Sequence, residues 1–270
     1  MLIATDVRKT FFAGTPNEVR SLRGVTLAIE PSSFVNIIGT NGSGKSTLLN
    51  AIAGVFLVDQ GKIELGGVDI THQSEHQRAQ RIGRVFQNPF SGTAPTMSVA
   101  ENIAVASRRG KSRGLGWSLN RSLRTEIAER LSSLKMGLED RLDSPIGNLS
   151  GGQRQAITLL MATWNKPDLL LLDEHTAALD PRSADQVIRV TDEIIAKDKL
   201  TALMVTHSMQ QAVNLGDRIV MMHQGNIVSD LQGSEKARAK PDDLLSRFDA
   251  IRRREQLTPA VAELLKRSYI

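Results

Sequence analysis

Apolar and polar side chains alternate over Leu2–Arg8 and again over Gly24–Ile29, the period-two pattern of strands with one buried face. Phe34-Val-Asn-Ile-Ile38 is more continuously apolar, which predicts a buried strand running into a glycine-rich loop. Beyond that loop, Ser46–Ala53 sets Leu48, Leu49 and Ile52 on one face of a helix. Gly61–Leu65 and Val68–Ile70 flank Gly66-Gly67 and predict a hairpin, and Ile82–Phe86 predicts a short strand closing at Gln87. From Asn88 to Trp164 the period becomes helical, with helices expected over Ser98–Ser107, Leu123–Leu134 and Gln153–Trp164. Leu169-Leu-Leu-Leu172 is the unbroken apolar run of a strand covered on both faces. A helix over Pro181–Lys197, a strand over Thr201–Val205 and a hairpin of Arg218–Met222 with Asn226–Ser229 follow. Pro241–Phe248 and Pro259–Arg267 predict short helices near the end.

Strands alternating with helices predict an α/β fold with a mostly parallel sheet, joined by an antiparallel β part and a helical insertion. Residues 1–231 are expected to form one domain with its helical insertion at about 88–164, and 232–270 a C-terminal helical extension.

Gly39-Thr-Asn-Gly-Ser-Gly-Lys-Ser46 fits G-x-x-x-x-G-K-[ST] between a predicted strand and a predicted helix, the context in which that loop wraps nucleotide phosphates. Glycines permit positive φ and close approach, so that the amides of Gly39, Thr40, Asn41, Gly42, Ser43, Gly44 and Thr47 are candidates to surround the anion. Lys45 supplies a point charge to the β- and γ-phosphates, and Ser46 a hydroxyl for Mg²⁺. The loop alone leaves kinases, GTPases and many ATPases open. Leu169–Leu172 delivers Asp173 to the end of a buried strand, where a carboxylate can hold Mg²⁺ through water, and Glu174 is placed to polarise an attacking water. Without the phosphate loop, the same pair would read as an acidic helix cap. Leu149-Ser-Gly-Gly-Gln153 is a second glycine-rich turn opening a helix, where Ser150 serves as a cap and the amides face an anion.

With these motifs in this order, the chain from Leu2 to Leu231 resembles the ATPase subunit of an ABC transporter, a P-loop NTPase with a RecA-like core. The resemblance implies ATP and Mg²⁺ as ligands and a head-to-tail homodimer. In that dimer Ser150, Gly151, Gly152 and Gln153 would face the γ-phosphate held by the second copy. It further implies that Gln87 senses Mg²⁺ and water, that His207 contacts the γ-phosphate and orients Glu174, and that Asp180 crosses the dimer contact. Read alone, His207 would be a surface residue or a cap. Phe11 matches the aromatic that stacks on adenine, with Phe12 as the competing candidate.

The chain departs from the family at Pro31-Ser-Ser33, where a glycine–acid turn is usual, and at Thr40 and His175, where proline is common. None of these removes a catalytic group, and an active enzyme is expected. Asp173–Pro181, Gly92-Thr-Ala-Pro95 and Met204-Val-Thr-His207 resemble an importer-type branch linked to amino-acid-like solutes. This implies a separate transmembrane permease, indirectly a solute-binding protein, and a peripheral position at the cytoplasmic face of the inner membrane. An exporter or lipoprotein-release ATPase is the alternative.

Composition narrows the rest. The 270 residues contain no cysteine, which excludes disulfides, thiolate metal sites and a cysteine nucleophile. No apolar run is long enough to span a bilayer, and Met-Leu-Ile-Ala-Thr-Asp lacks the pattern of a secretory signal. A net charge of +5 is modest, and the basic stretch from Arg108 to Arg124 has the isolated Trp117 where nucleic-acid binding would need several stacking partners. That stretch reads as a solvated face, with contact to anionic lipid headgroups as a further possibility and no nucleic-acid partner expected.

Overall fold

The computed structural model describes residues 1–110 and 119–251. Residues 111–118 of the basic stretch, Trp117 among them, and the helix expected over Pro259–Arg267 lie outside the described residues.

The chain folds through β1 (Leu2–Phe11), β2 (Val19–Ile29), β3 (Phe34–Gly39), α1 (Lys45–Ala53), β4 (Gln60–Leu65), β5 (Val68–Asp69), α2 (Glu75–Arg78) and β6 (Ile82–Val85). The helical insertion holds α3 (Val99–Ser107), α4 (Arg121–Ser133) and α5 (Gly151–Thr163). The chain then runs through β7 (Leu169–Asp173), α6 (Pro181–Asp198), β8 (Ala202–Val205), α7 (Met209–Asn214), β9 (Arg218–His223), β10 (Asn226–Gln232) and α8 (Gly233–Arg238). Helical backbone resumes over residues 241–251.

Two sheets result. One is antiparallel, in the order β2-β1-β4-β5. The other runs β10-β9-β3-β8-β7-β6, parallel from β9 through β6 with β10 as an antiparallel edge. Every residue of β3 is buried, and so are Leu169 to Leu172 of β7, which explains their unbroken apolar runs. Because β7 is two-sided, its alternate leucines enter different cores. Leu170 and Leu172 pack with the helical insertion, whereas Leu169 and Leu171 join α1 and the antiparallel sheet.

The first two strands are longer than their alternation predicts. β1 shifts register between Ala4 and Arg8, with Asp6 at φ 47°, and Gly24 interrupts β2 at φ 101°. Such bulges break the period-two pattern while the pairing continues. At Pro31-Ser-Ser33, Ser32 takes φ 59°, the backbone a glycine would supply, and the Ser32 amide donates to Thr201 Oγ1 at 3.1 Å. Among the described residues no helix is long and apolar enough to cross a membrane.

Candidate functional site

Parallel pairing gathers the chemistry at one edge. Ile37 aligns with Val205, Asp173 with Val205, and Val85 with Leu172, so the segments leaving β3, β8, β7 and β6 emerge together at the carboxyl ends. Those segments carry the phosphate loop, His207, Glu174 and Gln87.

The loop from Thr40 to Gly44 passes directly into α1, whose first-turn amides have no acceptor within the helix. Gly44 has φ 97°, and a Cβ there would stand 2.5 Å from the Ser21 carbonyl oxygen, so only glycine fits. The Gly225 amide donates to the Ser43 carbonyl at 3.0 Å, and Ser21 Oγ lies 2.8 Å from Thr47 Oγ1. The turn between β9 and β10 and strand β2 thus brace the loop from behind. Lys45 Nζ donates to the carbonyls of Gly39 (2.8 Å) and Thr40 (3.0 Å). Burial pulls the Lys45 ammonium below its usual range, and the charges of Glu174 and Asp173 oppose that shift. Ser43 Oγ is buried without a hydrogen-bond partner. Thr40, in the position often held by proline, approaches His223 Nδ1 at 3.4 Å through its hydroxyl.

Glu174 sits at φ 45° with its amide donating to the Val205 carbonyl at 3.0 Å. Its Oε1 lies 2.6 Å from His207 Nε2, and its Oε2 accepts from Gln87 Nε2 at 3.3 Å. The three residues expected to act on the attacking water therefore meet at one carboxylate. Asp173, one residue earlier, faces Arg84 Nη2 at 3.5 Å.

The second glycine-rich turn belongs to another neighbourhood. Ser150 caps α5 in a reciprocal box with Gln153, whose amide donates to Ser150 Oγ at 3.2 Å. A Cβ on Gly152 would stand 2.8 Å from Ser183 Cβ, so the turn packs closely on the start of α6, capped by Asp180 through the Ser183 amide. Among the described residues no hydrogen bond or ion pair joins Ser150–Gln153 to the phosphate loop. Exposed Ser150 and exposed Asn41 both face outward from the single chain.

Phe11 is half-buried, edge-on to Phe56 at 5.3 Å with Lys9 Nζ 5.6 Å from its ring centre, while Phe12 is 70% exposed. Several contacts were not legible in the sequence. Arg154 is buried against Phe90 at 3.7 Å and donates to the carbonyls of Gly147 and Leu149. Gln155 Nε2 donates to the Phe86 carbonyl at 3.0 Å, tying α5 to the peptide that enters Gln87. Their only sequence signal was polarity inside an otherwise buried helix.

A strand-loop-helix phosphate cradle beside a carboxylate bonded to a histidine and a glutamine defines a P-loop nucleoside triphosphatase. The ABC transporter family model matches residues 22–177. The chain is 41% identical over 236 residues to a tyrosine transport ATP-binding protein of Clostridioides difficile, covering 87% of this chain and 93% of that protein. It is 33% identical to a lipoprotein-releasing system ATP-binding protein of Ruegeria pomeroyi, covering 83% of this chain and 95% of that one. Among solved structures, a dimeric ATP-binding cassette in a post-hydrolysis state with ADP and phosphate superimposes with a TM-score of 0.74. That pair shares 26% identity over 86% of this chain and 98% of the cassette. The chain belongs to the ABC transporter family, as its ATP-binding and ATP-hydrolysing component.

Proposed function

We propose that this ATPase couples nucleotide binding and hydrolysis, at a head-to-tail dimer of two copies, to solute import through a separate transmembrane permease. The observation that carries the reading is the convergence of His207 and Gln87 on the Glu174 carboxylate beside the phosphate loop. In this reading Phe11 stacks on adenine. The loop amides and Lys45 hold the β- and γ-phosphates, and the unpartnered Ser43 hydroxyl and the first-turn amides of α1 supply donors suited to that anion. Ser46, Gln87 and Asp173 offer the oxygen ligands that Mg²⁺ prefers, and the ion would neutralise charge on the β- and γ-phosphates. Glu174 takes the proton of the attacking water, while His207 fixes the carboxylate and reads the γ-phosphate.

Ser150 to Gln153 and Asp180 act in the second copy's site in this reading, since Ser150 and Asp180 are exposed and, among the described residues, no hydrogen bond or ion pair joins them to the phosphate loop of their own chain. The dimeric cassette with ADP and phosphate supports this division. ATP contacts close the dimer, and loss of the γ-phosphate releases it. Residues 1–231 form the ATPase domain, residues of about 88–164 carry its movement to the permease, and 232–270 form an extension. The tyrosine transport relative supports an amino-acid-like solute. In the same reading a solute-binding protein delivers that solute, and the ATPase sits peripherally at the cytoplasmic membrane face. Lipoprotein release is the second reading, favoured by the relative at 33% identity.

Glu174→Gln should bind ATP and remain dimeric on size exclusion while hydrolysing about 100- to 10,000-fold more slowly. Unchanged turnover would remove Glu174 as the base. Purification with a candidate permease, followed by ATPase assay with tyrosine and other amino acids, distinguishes import from lipoprotein release. Stimulation by a solute-loaded binding protein supports import, and stimulation by a lipoprotein supports the second reading.

A further inference from the structure

Arg84 lies on β6, paired with Leu171 of β7, at a strand position that the apolar pattern would fill with a hydrophobic side chain. Its guanidinium turns toward the site instead. Nη2 lies 2.5 Å from Asn50 Oδ1 on α1 and 3.5 Å from Asp173 Oδ2, and the group stacks over Phe86 at 4.6 Å from the ring centre. Both side chains of the ion pair are largely buried, at 13% and 17% exposure. Arg84 Nε is also buried and has no hydrogen-bond partner.

A guanidinium stays charged in any protein setting, and burying one with an incomplete set of partners is costly. A single long contact to Asp173 is a poor arrangement for stability alone. It does place a fixed positive charge against the carboxylate expected to hold the metal, and Asn50 anchors that charge to the helix of the phosphate loop. Two cations drawn to one carboxylate oppose each other, and the opposition is strong where water is scarce.

We propose that Arg84 is a built-in competitor of the divalent metal at Asp173. It satisfies the carboxylate before nucleotide arrives and raises the Mg²⁺ concentration the site requires. Metal therefore enters with the triphosphate, whose negative charge offsets the guanidinium. Arg84 acts through Asp173 and is a positioning residue. The inference rests on Asp173 being a metal ligand, as in the proposed function. A simple brace would behave in the opposite way: its removal would loosen Asp173 and raise the Mg²⁺ requirement.

The sign decides the matter. In the full chain, binding of a fluorescent N-methylanthraniloyl ATP is titrated with Mg²⁺. Arg84→Met should lower the half-saturating Mg²⁺ about tenfold, while Arg84→Lys, which keeps the charge, stays within about twofold of wild type. Melting in Mg²⁺ without nucleotide should stabilise Arg84→Met and leave wild type unchanged. An unchanged or higher Mg²⁺ requirement in Arg84→Met overturns the proposal. Arg84→Gln, which retains a hydrogen bond for Asn50, carries the same sign test if the methionine variant fails to fold. Asp173→Asn separates the two levels. If it leaves Mg²⁺ dependence intact, the metal assignment falls and this inference with it. If it abolishes that dependence and Arg84→Met does not lower the requirement, the competitor role alone falls.

Discussion

Glu174 holds a left-handed backbone that costs a non-glycine residue on the order of 1–3 kcal/mol, and its place next to the phosphate loop makes that strain part of the site. The next residue supplies a separate test. His175 is buried, its Nε2 lies 3.1 Å from Thr191 Oγ1, and burial pulls its pKa down to about 4. The unfolded chain binds a proton below about 6.5, which the native imidazole refuses until near 4, so stability falls as pH drops through that window. Urea unfolding at pH 7 and pH 5 should differ by about 2 kcal/mol from this group, and His175→Gln should remove that difference. At the adenine end, Phe11→Ala should weaken ATP binding by about 1–3 kcal/mol in a fluorescence titration, with Phe12→Ala near wild type. The reverse order would assign the stacking face to exposed Phe12. The sequence makes the phosphate loop, Asp173 and Glu174 legible because backbone geometry dictates their residue types and spacing. Arg84, Arg154 and Gln155 were not legible, since their partners are set by packing across strands and helices distant in sequence.

At the scale of elements, long apolar or strongly periodic runs translate directly into β3, β7, α5 and α6. Short elements do not. α2 and α7 have too few turns for a period to show, and the bulges in β1 and β2 hide strand continuity. α2 nevertheless has a structural task. Its Arg78 is 2% exposed and donates to the carbonyls of Ala51 (2.7 Å), Ile52 (2.9 Å), Thr71 (2.9 Å) and Gln73 (3.0 Å). The cation thereby closes the carboxyl end of α1, where helix carbonyls lack partners and the dipole favours positive charge. Arg78→Met should cost about 2–4 kcal/mol in chemical denaturation, because buried carbonyls lose their donors. Arg78→Lys should recover part of that loss.

For the molecule as a whole, alternation along β7 divides the interior between two layers, and the carboxylates of Asp173 and Glu174 stand where that strand ends. The proposed partner-dependent half of the site rests on family resemblance, since nothing within one chain tells Ser150 which phosphate it faces. The absence of cysteine makes that arrangement directly testable. Asn41→Cys with Ser150→Cys, in the Glu174→Gln background, should form an intersubunit crosslink that requires ATP and disappears with ADP. Equal yield in both nucleotides, or a link within one chain, would contradict the shared site. The last described helix has its own consequence. Leu244 and Phe248 lie on Ile38, Ile219 and Met221, the outer surface of the strands leading to the phosphate loop. Shearing the chain after Gln232 would strip a lid from this patch, so a recombinant fragment ending there should precipitate or self-associate despite retaining every residue proposed to hold nucleotide.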